Sequence, residues 1–402
     1  MKKMFRLVIV AALVIVCAFT AFAQELKLSG EAKTGIYWKQ SQDQGKEADT
    51  PLVRLHSMDD AGEEGHQGRF RLNMDYDNNN GFGMKTRIQW QQWKEDKPVW
   101  LYAFGYGNFF DNQMTVSVGK LGASPWGTGG PEMWKELEQT TNGGGARIEW
   151  KPSFVPGQLN VGFVLNYFDA GMDQGVDENK VTFFEILRES VVGVSYTHDY
   201  FHARFAYRFD SEMDKIQGTA QGITSGGGKN NIQDELVYRI EEHVLRDYLP
   251  GFEVWAMGYF LGISCQDPDV TLLRNWLFAG YEPPEMMGLQ KPFTAQMRLG
   301  LDFIPNRQVM YLKPSFYWNF FDKLLSAGIS FSYAQDFGNK VYEGSPFYEI
   351  ELEPKVQMNF SSSYIAFVYN WRRTYFHEYL AAPGYEPINQ TQRLNLRFCI
   401  YF

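Results

Sequence analysis

Hydrophobic and polar residues alternate along most of the chain, with a period of two. In residues 69–76, for example, aromatic and aliphatic side chains at even positions oppose arginine, asparagine and aspartate at odd positions. Such alternation places side chains on opposite faces of a β-strand. It predicts seventeen strands, and no segment after residue 23 shows convincing helical periodicity. The predicted strands lie near 26–38, 69–76, 82–90, 99–107, 113–120, 144–151, 158–168, 190–198, 201–209, 233–242, 251–262, 293–303, 308–320, 323–335, 346–360, 364–373 and 394–402.

The faces of these strands favour one kind of all-β fold. Nearly every predicted strand pairs an apolar face with a face that bears charge, whereas the inner face of a soluble β-sandwich seldom tolerates arginine. Transmembrane β-barrels alternate in this way, since one face meets lipid and the other meets water. Short connections such as 78–80 and 360–363 also alternate with long ones such as 39–67, 211–231 and 263–292. The pattern predicts a transmembrane antiparallel β-barrel, with a β-sandwich as the alternative.

Residues 1–23 have the order of a secretory signal peptide. Basic residues come first, an apolar run follows, and Ala21-Phe22-Ala23 supplies a small-x-small cleavage site. A lipoprotein signal that uses Cys17 is the alternative, although the preceding Val16 is bulkier than such signals prefer. The apolar run is shorter than the ~20 residues that a spanning helix needs. We therefore predict export, and a single barrel domain over 24–402.

Composition agrees with a barrel and excludes other classes. Aromatic residues make up 16% of the chain, yet no apolar stretch after residue 23 reaches the length of a membrane helix. The net charge is −9, and removal of the signal peptide with its three basic residues makes the remaining chain still more acidic. An acidic chain of this kind argues against a nucleic-acid partner, which requires a basic patch. Aromatic residues also gather near predicted strand ends, as in the interfacial girdles of barrels: Trp38, Trp90, Trp93, Trp100, Trp150, Trp318 and Trp371.

The sequence offers little for catalysis, metals or cofactors. The histidines outside the signal peptide are scattered, and none sits in a recognisable nucleophile context. The two cysteines after residue 23, Cys265 and Cys399, lie apart from any cluster with metal-ligand spacing. We interpret them as isolated thiols, with a bridge between them as the alternative. We therefore expect no enzyme activity, no metal and no cofactor.

The last nine residues end in a strand with one apolar face. Apolar side chains stand at every second position up to the final residue: Leu394, Leu396, Phe398, Ile400 and Phe402. This ending resembles the C-terminal signature of bacterial outer-membrane proteins, a terminal phenylalanine preceded by apolar residues at a period of two. The resemblance implies that these residues form an assembly signal read by the barrel-assembly machinery. It also implies location in the bacterial outer membrane, in contact with its lipid.

Seventeen strands are inconsistent with a single-chain bacterial barrel, which has an even number. One assignment must therefore be wrong, and the pattern is least clear in 175–199, 263–292 and 336–360. At roughly 10 residues per strand plus loops, the chain suits 16 strands, with 18 as the alternative. A barrel of this size is too wide for side chains alone to fill, so we expect water inside it.

One long connection suggests a pore. Residues 121–145 follow the fifth predicted strand and are rich in glycine and proline. Over about 113–168 the chain resembles the general diffusion porins, whose long third loop folds into the barrel and often carries Pro-Glu before an aromatic residue. Pro131-Glu132-Met133-Trp134 matches in part, with one residue inserted. The resemblance implies an acidic constriction formed by Glu132, Glu136 and Glu138; a loop that lies on the outer rim is the alternative.

Arginines on the predicted water-facing side supply the opposite wall of that constriction. Arg69, Arg71, Arg87 and Arg147 come from strands around the loop. Acidic and basic walls that face each other across a narrow pore orient dipolar solutes and set ion preference. For any one of these arginines, a solvated or ion-paired residue without a role in selectivity is the alternative interpretation.

Together these features predict an outer-membrane porin. It would form a water-filled channel for passive diffusion of ions and small hydrophilic solutes, with a homotrimer as the candidate assembly. A surface-exposed barrel that acts through its outer loops, as an adhesin or a structural protein, is the alternative.

Overall fold

A computed structural model describes most of the chain after residue 24. The described residues are 25–43, 46, 48–55, 68–78, 80–91, 98–121, 126, 144–166, 190–208, 234–261, 272–286, 289–304, 307–337, 346–376 and 387–402. The predicted signal peptide lies outside them.

These residues form twenty-one strands and one short helix. In the first half of the chain the strands are β1 Glu25–Gln42, β2 Leu52–Leu55, β3 Arg69–Asp77, β4 Phe82–Gln91, β5 Val99–Phe109, β6 Met114–Lys120, β7 Gly144–Trp150, β8 Gln158–Asn166, β9 Val191–Thr197 and β10 Phe201–Arg208. The second half contains β11 Glu235–Glu242, helix α1 Val244–Tyr248, β12 Phe252–Leu261, β13 Leu272–Tyr281, β14 Glu285–Met286, β15 Leu289–Gln290, β16 Phe293–Ile304, β17 Arg307–Phe320, β18 Leu325–Asp336, β19 Pro346–Phe360, β20 Ser363–Phe376 and β21 Ile388–Tyr401.

Eighteen of the described strands close into one antiparallel barrel. They are β1, β3 to β13 and β16 to β21, and each pairs with the strands before and after it in this series. Strand β1 pairs with β3 along its first half and with β21 from Glu31 to Gln42, which closes the sheet. The short strand β2 pairs with β1 beyond the end of β3, and β14 and β15 form a separate hairpin. Closure leaves no unpaired sheet edge, as a barrel in lipid requires.

The expectation of 16 strands was wrong, and the alternative of 18 is correct for the described part of the chain. The strand that sequence analysis missed is β13, which lies within the unclear segment 263–292. Its alternation is hidden because the inward residues Trp276 and Phe278 are aromatic, whereas Asn275 takes an outward position. Trp276 and Phe278 are almost fully buried inside the barrel, where apolar neighbours replace the water that the pattern assumed.

The described strands are joined at one end of the barrel by compact connections. Among them are 78–81, 110–113, 151–157, 198–200, 321–324 and 361–362. Glu25 and Phe402 lie at this same end. The predicted short connections at 78–80 and 360–363 are therefore confirmed, whereas the described residues within the predicted long connection 263–292 form strand β13 and the hairpin of β14 and β15.

The barrel closes through hydrogen bonds at Phe402. The Gly30 N–H donates to the Phe402 carbonyl at 2.7 Å, and the Phe402 N–H donates to the Gly30 carbonyl at 3.1 Å. The Phe402 ring covers Gly30 and stacks on Phe70, with ring centroids 5.7 Å apart. Within the predicted assembly signal, the apolar side chains from Leu394 to Phe402 alternate with the inward residues Asn395, Arg397 and Cys399.

The outer face of the barrel is apolar over most of its circumference. Many large apolar side chains are exposed there, including Phe70, Val118, Ile148, Phe205, Leu277, Met297, Phe316, Ile329, Val356 and Phe367. Among the described residues, no helix is both long and apolar enough to cross a membrane. The exposed apolar band has the character of a lipid-facing surface.

Arginine substitutions on the two faces of β16 should differ sharply. Leu299 pairs with Leu277 and Leu312 on the outer face, whereas Gln296 lines a cavity inside the barrel. We expect Leu299→Arg to destabilise the barrel by about 2–4 kcal/mol if the site lies at the bilayer midplane. The matched control Gln296→Arg should fold like the wild type, because its new side chain reaches water. Folding titrations into lipid vesicles measure both, and the reverse ranking would show that the two faces had been interchanged.

Candidate functional site

One side of the barrel interior is filled by a buried apolar cluster with ion pairs beside it, and the other side is polar and open. On the apolar side, inward side chains from β5 and β8 to β13 form one buried cluster. The cluster consists of Phe104, Val164, Val191, Ala206, Val237, Met257, Tyr259 and Trp276, together with Leu121 and Trp126 from the connection after β6. Apolar side chains packed together exclude water, so this side of the described interior is filled by protein.

Trp126 is packed against the inner face of the wall. Its side chain is fully buried, and its indole lies over Gly162 of β8 and Gly193 of β9, which pair with each other across the two strands. A Cβ added at either glycine would overlap the indole ring. The two glycines therefore form a recess that fits the indole of Trp126. Any larger residue at either glycine position would displace the indole.

Three of the predicted pore arginines lie together on the inner wall. Arg69 Nε is 2.6 Å from Glu31 Oε1, and Arg71 Nη1 is 3.2 Å from the same oxygen. Glu31 lies on β1, opposite Arg71 in the register. Arg87 on β4 donates a hydrogen bond to Asn73 Oδ1 at 2.6 Å, and its guanidinium lies 5.1 Å from the ring centroid of Tyr102. The cluster is basic, because Arg69 and Arg71 share the carboxylate of Glu31 with Lys33, and Arg87 bonds to the neutral Asn73.

The fourth predicted arginine lies apart from this cluster. Arg147 on β7 is buried and forms an ion pair with Glu149 at 2.9 Å. Its guanidinium lies 5.6 Å from the ring centroid of Phe104, a member of the apolar cluster. Arg147 therefore belongs to the packed side of the interior, in an ion pair that contributes to the wall.

The polar side of the interior contains open space. A cavity of about 310 Å³ lies against β17 to β21, and an adjoining cavity of about 210 Å³ lies against β16 to β19. Both are lined by Lys313, Ser332, Glu351 and Glu353. Their linings are mostly polar or charged, so the space suits water and hydrophilic solutes.

Three glutamates form a column along the polar side. Glu349, Glu351 and Glu353 project inward from alternate positions of β19. Arg372 on β20 donates to Glu349 at 2.6 Å, and Asn370 donates to Glu351 and, at 3.4 Å, to Glu353. Basic side chains border the same space, namely Arg298, Lys313, Arg372, Arg393 and Arg397. Acidic and basic groups thus stand beside each other along the open part of the interior.

Sequence reasoning did not select these acids as site residues. The alternation in β19 contained the signal, since Glu349, Glu351 and Glu353 interleave with Ile350 and Leu352. Glu132, Glu136 and Glu138, the predicted acidic constriction, lie outside the described residues. Within the described ranges, no group of three His, Cys, Asp or Glu side chains is arranged to hold a metal ion.

Comparison with known proteins identifies the fold. No family model matches the chain, and no curated protein sequence is similar to it. Among solved structures, the chain is similar to OpdQ of Pseudomonas aeruginosa, with a TM-score of 0.52, 10% identity and coverage of 95% of this chain and 99% of OpdQ. It is also similar to the outer membrane channel DcaP of Acinetobacter baumannii, with a TM-score of 0.50, 9% identity and coverage of 94% and 97%. The chain has the closed β-barrel fold of bacterial outer-membrane porins.

Proposed function

We propose that this protein is an outer-membrane channel through which ions and small hydrophilic solutes diffuse passively. The observation that carries the proposal is the polar half of the interior, where charged side chains line adjoining cavities inside a closed barrel. Charged side chains are costly to bury away from water, so the space that they line must hold water or hydrophilic solutes. The apolar outer face supports residence in lipid.

The proposal includes an orientation and a cellular setting. The end that carries the compact connections and Phe402 would face the periplasm, as in bacterial barrels with short periplasmic turns. The barrel would reach the outer membrane through the barrel-assembly machinery and contact its lipid. Assembly into a homotrimer stays a prediction.

We further infer that 121–145 folds into the lumen. Leu121 and Trp126, at the start of this connection, are fully buried in the apolar cluster on the inner wall. An outer loop on the rim would leave a tryptophan exposed or packed among other loops, whereas Trp126 covers two glycines of the barrel wall. The position of Trp126 therefore favours a loop that narrows the pore.

In this arrangement the arginine cluster would form the basic wall of the constriction. Arg69, Arg71 and Arg87 stand on neighbouring strands, and Arg69 and Arg71 share the carboxylate of Glu31. Glu132, Glu136 and Glu138 would approach them from the loop. Arg147 is proposed as part of the wall support, because its close partner is Glu149.

Reconstitution into a planar bilayer tests the proposed function. A water-filled channel should give stepwise increases in current in potassium chloride, each step corresponding to one inserted channel. Heat-denatured protein is the control. Folded protein that inserts but gives no current across preparations would favour an adhesin or structural barrel instead.

A further inference from the structure

The open side of the lumen has charges arranged in separate columns. The glutamate column of β19 stands between basic residues on both sides, with Lys313 of β17 on one side and Arg372 and Arg393 on the other. The intervening strand β18 contributes Ser330 and Ser332, whose small side chains leave a groove between the columns. Adjacent strands lie ~4.8 Å apart, so charges two strands apart are separated by roughly 10 Å.

Asn395 adds an independent indication of a ligand. It lies on β21 in the lining of the larger cavity, and its side chain is 1% exposed. Neither its amide nitrogen nor its amide oxygen has a hydrogen-bond partner among the described residues. A buried amide without partners costs free energy, and the cavity beside it is where a donor and an acceptor could be supplied.

We propose that this cavity is a binding subsite for zwitterionic solutes of the size of a dipeptide. The solute carboxylate would lie against Arg372 and Arg393, and its ammonium group would lie against Glu351 and Glu353. The side-chain amide of Asn395 would donate to and accept from the peptide group between them. A zwitterion replaces the ion pairs between the glutamate column and the basic residues with equivalent ion pairs to its own two charged groups. A solute with a single charge can pair with only one of the two columns. The proposal rests on the proposed channel function and specifies its solute class.

The test is solute-induced block of single-channel current in potassium chloride. The probe is alanyl-alanine, compared with its N-acetylated form, its C-terminal amide and the doubly capped neutral form. These four solutes are close in size, so they separate charge recognition from simple occlusion. We expect saturable block by alanyl-alanine at concentrations about tenfold below those needed for either singly capped form, since a charge-assisted hydrogen bond has about that effect.

Variants identify the groups involved. Glu351→Gln should abolish the preference for alanyl-alanine over its N-acetylated form, because the ammonium group loses its partner. Arg393→Gln should abolish the preference over the amide form. In both variants the current without solute is recorded first, so that block is compared with the open-channel current of the same variant.

Asn395→Val distinguishes a role of Asn395 in solute binding from a role in the stability of the barrel. The change removes an unpartnered buried amide, so folding should be unaffected or improved, whereas block by alanyl-alanine should weaken by about tenfold. The matched control is Asn160→Val on the packed side, where the Asn160 amide donates to Glu149 at 3.0 Å. That control should lower stability and leave the block unchanged.

Two results would contradict the inference, and they are distinguishable from failure of the channel function. Stepwise current with equal block by all four solutes would overturn the zwitterion subsite and leave the channel intact. Unchanged block in Asn395→Val and Glu351→Gln would overturn the residue assignment. Absence of any current in the wild type would overturn the channel itself.

Discussion

Deletion of Phe402 is expected to remove most of the folded, heat-modifiable protein from outer-membrane fractions. Both backbone hydrogen bonds that join Phe402 to Gly30 would be lost, at the seam where β21 meets β1. Each backbone group left without a partner in lipid costs several kcal/mol. The stacked contact with Phe70 would also be lost. Because folded proteins are only marginally stable, a loss of this size should have a large effect on assembly.

Phe402→Ala separates the backbone from the ring. It keeps the two hydrogen bonds and removes the aromatic contacts, so its folded yield should lie between those of the deletion and the wild type. The control is Phe321→Ala, because Phe321 lies in a turn at the same end and is 75% exposed. Equal yields for the deletion, Phe321→Ala and the wild type would refute both the role in closure and the assembly-signal interpretation.

Trp126→Ala should release the proposed lumen loop and change the channel more than any other single substitution on the packed side. Replacement of a buried tryptophan by alanine costs about 3–5 kcal/mol of packing, and here most of that packing holds the loop start against Gly162 and Gly193. We expect a larger and noisier single-channel current, because a loosened constriction no longer holds one width. Gly193→Val should have the same effect, since its side chain would displace the indole.

Loop shortening extends the same test. Removal of residues within 127–141 should raise conductance while the barrel stays folded, since most of the resistance to ion flow lies at the narrowest point. Shortening of 211–231, which we place outside the pore, is the matched control and should change conductance little. Conversion of Glu132, Glu136 and Glu138 to glutamine should shift the reversal potential toward anions, most clearly at low salt. Equal effects of the two deletions would contradict the constriction assignment.

Alternation predicted the fold because most strands meet lipid on one side and polar groups on the other. It failed at β13, where Trp276 stacks on Tyr311 inside the barrel with ring centroids 5.5 Å apart. The strand count was therefore wrong because inward residues on the packed side are apolar, so β13 does not show the alternation of apolar and polar residues. Inward aromatic residues also occur on β5, where Tyr102, Phe104 and Tyr106 face the lumen and alternate with the small outward residues Ala103 and Gly105.

The candidate site was predictable only in part. The lumen-facing positions of Arg69, Arg71 and Arg87 followed from alternation, but Glu31, the partner that Arg69 and Arg71 share, did not. That contact depends on the register between β1 and β3, strands separated in sequence by the segment that contains β2. Likewise, the recess for Trp126 depends on two glycines from neighbouring strands that become aligned only when β8 pairs with β9.

The central claim is that water and solutes pass along the polar side of the barrel while the opposite side is filled. Single-channel current measured before and after addition of a charged, thiol-reactive methanethiosulfonate tests it most directly, in a chain whose native cysteines are replaced by alanine. Ser332→Cys lies in the lining of both cavities, whereas Val237→Cys lies in the apolar cluster and is 1% exposed in the native chain. The account predicts stepwise current that the reagent reduces in Ser332→Cys and leaves unchanged in Val237→Cys. Block of Val237→Cys alone, or no current from folded protein, would contradict it.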